Sequence, residues 1–160
     1  MRGRAEFDAF YDATSRRVLH QMYAMTGNLA DARECTQEAY GRAWRRWSAV
    51  SQTASPEAWV RTTAWLAAAG RWRPTTWRVR RREEPEPGSS QSDLIAVLRQ
   101  LPAAQRRVVV LRYLAGLDVD EIALETGTPV GTVEARLAGA KAALAPVIAD
   151  DTVPAGGRRE

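Results

Sequence analysis

Two stretches of the 160-residue chain carry residue types whose spacing suits recognition of nucleic acid. Residues 71–82, RWRPTTWRVRRR, hold six Arg and two Trp and no acid. Guanidinium groups bind phosphates and stack on planar rings, and Trp offers a face to an unstacked base, so the mixture suits nucleic acid, single strands included. A solvated charge run beside a linker is the plainer alternative. The second stretch is LPAAQRRVVVLRYLAGLDVDEIALETGTPVGTVEARLAGAKAALA, residues 101–145, in which Ile122-Ala123 is followed by Gly127 and then Val133. That is helix-turn-helix spacing. Ala123 lets a second helix lie close, Gly127 accepts the left-handed backbone of the turn, and Val133 plugs the second helix onto the first. Asp118 can cap the first of these helices, while Thr128 and Pro129 stand where an N-cap and first helical residue belong. An αα-hairpin without function would share the pattern.

Covalent chemistry finds little support. Cys35 and His20 are each the sole residue of their type, so there is no disulfide framework and no cysteine-based zinc site, and a Cys-His nucleophile pair would have to be built from residues about fifteen apart; both are expected to be ordinary helix residues. Paired carboxylates with a positioned base are also lacking, which leaves an Arg-rich nucleic-acid-processing enzyme as a remote alternative. No apolar run reaches the roughly 18–20 residues of a membrane span, and MRGRAEFDAF lacks the apolar core of a signal peptide. The expectation is a cytoplasmic protein that binds, with no cofactor, no metal and no membrane.

The elements that must hold these residues are helical nearly throughout. From Glu6 a stripe of Phe7, Phe10, Tyr11, Val18, Leu19, Met22 and Tyr23 predicts a helix that Gly27-Asn28 ends. A second helix is predicted from Leu29 to Trp47. Its first turns carry Asp31, Glu34, Gln37 and Glu38, and its last carry Arg42, Trp44, Arg45, Arg46 and Trp47. This order suits the helix dipole, which alone would account for it. Ser55-Pro56-Glu57 starts a third helix bearing Trp59, Thr63, Leu66 and Trp72, broken at Pro74.

Charge divides the chain. Residues 1–82 hold 15 Arg against 7 Asp or Glu, EEPEPGSSQS at 83–92 holds three Glu, and residues 93–149 balance six basic against six acidic groups. The positive field therefore lies in the first half and not on the helix-turn-helix. The acidic, Pro-containing segment lacks apolar residues and reads as a flexible connector. The fold class expected is all-α, with two small helical domains joined by a flexible linker and the helix-turn-helix in the second. The boundaries expected are 1–75, a linker over 76–92, a second domain over 93–148 and a disordered tail over 149–160.

The string GNLADARECTQEAYGRAWRRW (27–47), the Pro56-x-x-Trp59 start of the next helix, the connector and the helix-turn-helix together resemble an extracytoplasmic-function (ECF) sigma factor of the sigma-70 family. The Trp- and Arg-rich variant is similar to the actinobacterial SigE-like group, over about residues 5–146. The resemblance implies a transcription initiation factor that binds core RNA polymerase through the β′ clamp and β flap, reads the minus-ten and minus-35 elements of promoter DNA, and leaves room for an anti-sigma factor. It puts Asp31, Glu34, Gln37 and Glu38 on the β′ clamp, with Arg33 inverting the sign of a usual carboxylate. Val50, Ser51 and Gln52 fall in the segment that captures a flipped minus-ten base, and Arg61, Arg71 and Arg73 would line the strand path. Leu66 replaces a familiar Asn, so that residue's base preference does not carry over.

Thr128, Val130, Thr132, Glu134, Arg136 and Lys141 fall on the DNA-binding helix-turn-helix. The family commonly places several basic residues here, whereas this chain reads Glu134, Ala135, Arg136, Leu137, Ala138 and Gly139. Glu134 repels phosphate but can accept a hydrogen bond from cytosine N4. Gly139 is expected to cost about 1 kcal/mol of helix propensity and to contact nothing. Either the module docks on polymerase and reads DNA weakly, or its base choice is altered. A LuxR-type regulator is the other binding protein with such spacing, but it needs a receiver or ligand domain, and residues 1–75 lack the strand alternation to build one.

Overall fold

The computed structural model describes the backbone of residues 2–71 and 90–151 and the side chains of 2–70 and 93–146. Every regular element among the described residues is a helix: α1 (Arg2–Thr26), α2 (Leu29–Arg45), α3 (Trp47–Val50), α4 (Pro56–Arg71), α5 (Ser90–Leu98), α6 (Ala103–Tyr113), α7 (Val119–Thr126) and α8 (Val130–Asp151). The all-α expectation holds. α1 starts four residues before Glu6. The predicted second helix is divided, because Arg46 at φ −119° and ψ 23° leaves the helical region and α3 restarts at Trp47. α5 begins at Ser90 and α8 runs to Asp151, so helix extends into both the expected linker and the expected tail. The rest of those two segments, with Arg73 and most of the Arg/Trp run, lies outside the described residues.

In the N-terminal region α1 and α2 form a hairpin against which α4 packs. Gly27 turns the chain at φ +71°, and Asn28 caps α2 by accepting the Asp31 N–H at 3.0 Å. Val18, Met22, Cys35, Ala39, Val60 and Ala64 are fully buried between the three helices. At the open end of the hairpin Phe7 and Phe10 meet the end of α2 and α3, with Phe7 5.2 Å from Trp44 and Phe10 5.1 Å from Trp47 between ring centroids. Tyr40 Oη and Thr14 Oγ1 share a buried 2.6 Å hydrogen bond, and burial pushes the tyrosine hydroxyl up to about 12.

In the C-terminal region α6, α7 and α8 enclose Val108, Val110, Leu111, Ile122 and Val133. The helix-turn-helix signals behave as read. Asp118 Oδ1 accepts the Glu121 N–H at 2.8 Å, which holds the carboxyl below its ordinary range. Gly127 adopts φ +64°, and the Ala123 carbonyl accepts the N–H groups of both Gly127 and Thr128. Gly139 departs from expectation. A Cβ there would lie 2.9 Å from the Gln105 amide of α6, so this glycine faces a helix–helix contact and does have a neighbour.

The two regions touch. α5 and α6 lie against α1, and α7 lies against α4. Arg99 donates from Nε to the Gly27 carbonyl at 2.9 Å and closes a second bond through Nη2. Gly27 is needed twice over, since a Cβ there would also press to 3.0 Å on the Arg99 side chain.

Candidate nucleic-acid and partner interfaces

One face of α2 gathers the residues expected to meet polymerase. Asp31, Glu34 and Glu38 recur at helical spacing, with Glu34 and Gln37 exposed and Asp31 and Glu38 half-buried. Glu38 accepts from Arg42 Nη2 at 2.6 Å, one turn along. Beside this face, Phe7, Tyr11, Tyr40 and Trp44 line a cleft of about 680 Å³ whose rim carries Arg33 and Gln37. The inverted charge at Arg33 thus sits on the edge of an apolar groove, and Tyr11 and Trp44 remain 44% and 46% exposed. Half-exposed aromatics ringed by polar groups are what a protein partner buries.

A second concavity, about 380 Å³, lies between the end of α2 and the middle of α4. Arg42, Arg45 and Arg46 form one wall and Trp59, Thr63 and Leu66 the other. Three guanidinium groups facing an indole can hold phosphate and stack a base together. The dipole explanation for the Arg-rich end of α2 does not account for this concave arrangement with α4. In sequence these arginines end the second helix and mark no site. Their i, i+3, i+4 spacing was legible as one helix face, but the wall facing them comes from residues that follow the turn after α3. Leu66, in the place of the familiar Asn, is 62% exposed here.

The residues expected at the minus-ten element are not all on one surface. Ser51 and Gln52 are exposed after α3, whereas Val50 is 1% exposed and belongs to the core, since an apolar side chain on a one-turn helix finds its place inward. Arg71 ends α4, and its side chain is outside the described residues. Arg61 is buried, which differs from a side chain lining an open strand path. Its Nε and Nη2 bind the Glu125 carboxylate of α7, the shortest contact at 2.7 Å, and Nη1 reaches Gln21 Oε1 at 3.4 Å. Glu57 stands 3.5 Å from Nη1 and pairs with Arg17 through two bonds of 2.6 and 2.8 Å. A charge taken out of water needs such a set of partners to offset its desolvation.

On α8, Glu134 and Lys141 are exposed, Thr132 and Arg136 are half-buried, and Val130 is 39% exposed. Thr128 Oγ1 lies 2.7 Å from Thr126 Oγ1 across the turn, so its hydroxyl serves the turn. Arg136 is near enough to Arg107 to help lower that guanidinium's pKa, after burial as the larger cause. The outward face of α8 is therefore sparse in cations. Arg107 itself lies over Trp65 of α4, 4.9 Å from the ring centroid. Neither Arg107, Trp65 nor Glu125 was marked by the sequence, because each matters through a residue on the other region.

No cluster of three or more His, Cys, Asp or Glu able to hold a metal occurs among the described residues. No described helix is long and apolar enough to cross a membrane.

The sigma-70 region 2 family matches residues 10–78 and the sigma-70 region 4 family residues 91–144. The chain is 32% identical over 154 residues to the probable RNA polymerase sigma-C factor of Mycobacterium bovis, covering 89% of this chain and 82% of that one. It is 28% identical over 153 residues to the RNA polymerase sigma-E factor of Streptomyces coelicolor, covering 87% and 84%. Among solved structures it is similar to the sigma factor RpoE of Bartonella quintana, crystallised with the anti-sigma factor NepR, at a TM-score of 0.74 and 18% identity, covering 91% of this chain and 98% of that one. CnrH in complex with the cytosolic domain of CnrY gives 0.68 and 20%, covering 93% and 91%. With both regions present in order, and with a relative above 30% identity matched over most of its length, the chain belongs to the sigma-70 family, as an ECF sigma factor that directs RNA polymerase to promoters.

Proposed function

We propose that the N-terminal region supplies most of the binding strength at the promoter, while the helix-turn-helix contributes position. The carrying observation is the cavity walled by Arg42, Arg45 and Arg46 opposite Trp59, set beside an α8 whose outward face offers Glu134 against Lys141. Phosphate attraction scales with cations brought to the backbone, and a base is held by stacking, so the first site serves a melted strand and the second a duplex held lightly. Ser51 and Gln52, on the exposed loop after α3, fit the neighbouring minus-ten base.

The face of Asp31, Glu34, Gln37 and Glu38 is the surface for the β′ clamp, and the aromatic groove beside it buries that partner's apolar side chains. Thr128, Val130, Thr132, Glu134, Arg136 and Lys141 meet the minus-35 element, with β flap contacts made by the same C-terminal region. The work is binding and strand separation with no covalent step, performed in the cytoplasm where polymerase is. An anti-sigma factor is a fitting antagonist, since the structurally similar sigma factor RpoE was solved with the anti-sigma factor NepR.

The test is co-purification with core RNA polymerase. Gln37→Ala combined with Glu38→Arg is expected to abolish it with helicity unchanged by circular dichroism. Unchanged co-purification would remove the docking assignment.

A further inference from the structure

We infer that Leu66 is a specificity-determining residue of the cavity between α2 and α4, where it selects a thymine through the methyl group at C5. The inference rests on the reading that this cavity receives the melted minus-ten strand, and it names the base read there. At about 380 Å³ the space is at the small end of ligand-binding cavities, the scale of one nucleotide. Trp59, Thr63 and Leu66 follow one another at i, i+4 and i+7 on α4, so they form one continuous wall. Leu66 is 62% exposed on that wall. A lone exposed leucine is ordinary on a helix surface, whereas one that lines a cavity beside an indole is a contact surface for what enters.

The polar groups of the cavity narrow the choice of base. Thr63 Oγ1 gives its proton to the Trp59 carbonyl at 2.8 Å, so towards a base it serves as an acceptor. Against that oxygen stand the Trp59 indole N–H and three guanidinium groups, which donate and never accept. Arg42 is held by Glu38 at 2.6 Å, while Arg45 and Arg46 are exposed on the wall opposite. A wall rich in donors favours a base whose exocyclic group is a carbonyl over one that carries an amino group there. Thymine with O4 and guanine with O6 are therefore preferred to cytosine and adenine, whose N4 and N6 amino groups would meet donors. Leu66 decides between the two that remain. In thymine the methyl is on the ring carbon next to the one bearing O4, so a base that turns O4 to the arginines can lay its methyl on the aliphatic wall. Guanine offers N7 at the corresponding edge, and an acceptor against Leu66 loses its water without gaining a donor.

Deoxyuridine differs from thymidine by this methyl alone and so tests the contact directly. The probe is a promoter fragment retained by the holoenzyme, pre-melted over its minus-ten segment, with each thymine of the non-template strand replaced by deoxyuridine one at a time. Holoenzyme binding is measured by fluorescence anisotropy for wild type, Leu66→Ala and Leu66→Met; an exposed position tolerates both changes, which circular dichroism checks. One replacement is expected to weaken wild-type binding about fourfold, the value of one buried methyl group. Leu66→Ala should bring the thymine to uracil ratio at that position close to one, and Leu66→Met should keep most of it. A minus-ten segment with no thymine, no position sensitive to the methyl, or a sensitive position whose ratio Leu66→Ala leaves unchanged would overturn the assignment. Guanine bound more tightly than thymine at that position, with the preference lost in Arg45→Gln, would move the reading to the arginine wall and overturn it as well. In each of these cases the strand cavity stands if Arg42, Arg45 and Arg46 replaced by Gln still weaken binding to the pre-melted fragment. If that triple variant binds as wild type does, the reading of the cavity itself fails.

Discussion

The two regions are stabilised by different kinds of contact. The C-terminal region is specified locally: a cap at Asp118, a left-handed Gly127 and a plug at Val133 all act within sixteen residues of one another. The N-terminal region depends on partners distant in sequence, such as Tyr40 with Thr14 and Arg17 with Glu57. It also carries the excess positive charge and the two clefts beside α2. Where binding chemistry is concentrated, the determinants are long-range, and a one-dimensional reading meets them only as scattered residues.

The comparison can be broken by core truncation. Met22→Ala in the first region and Ile122→Ala in the second each remove a fully buried side chain and should cost about 2–5 kcal/mol. All six Trp precede residue 78, so tryptophan fluorescence follows the first region while circular dichroism follows both. In urea, Met22→Ala should shift the fluorescence transition and Ile122→Ala should leave it nearly in place. Equal shifts would mean that the regions unfold as one body.

A pH scan sharpens the same contrast. The Tyr40 hydroxyl titrates near 12 in the folded chain against 10 when exposed, so above pH 10 the unfolded form loses its proton first. The stabilisation is complete below pH 10 and is lost as pH rises toward 12, amounting to about 2–3 kcal/mol over that window at 1.36 kcal/mol per unit. Tyr40→Phe should flatten this alkaline loss in denaturation measured by fluorescence. The smaller, purely functional contrast is electrostatic. Replacing Arg42, Arg45 and Arg46 by Gln should flatten the dependence of log affinity on log salt by about 0.7 per lost phosphate contact on a single strand. Glu134→Gln should change it little, measured by binding of holoenzyme to a promoter with a pre-melted minus-ten segment.

How much was legible follows from the same distinction. Helix ends at Gly27, Asn28, Asp118 and Gly127 were readable because caps and positive φ act on adjacent backbone. The acidic opening turns of α2, with Asp31, Glu34 and Glu38, are legible from the order of charge along the helix, while their place on the β′ clamp comes from the family resemblance. Burial of Arg61 was not, since an isolated arginine on a helix gives no sign of an acid 64 residues later. Val50 belongs to a loop by sequence, yet it closes a further short helix that no pattern in the turn after α2 announces. Gly139 showed a propensity cost in sequence, and only the α6 side chain opposite gives the space it leaves a use.

The central claim is that this chain selects DNA through RNA polymerase. Purified protein mixed with core RNA polymerase and a fragment library, followed by sequencing of the retained DNA, measures this most directly. The expected result is enrichment of a shared two-element promoter sequence that requires both protein and polymerase. Equal enrichment by the protein alone, or by its C-terminal region alone at nanomolar concentration in physiological salt, would contradict the account and favour a helix-turn-helix regulator.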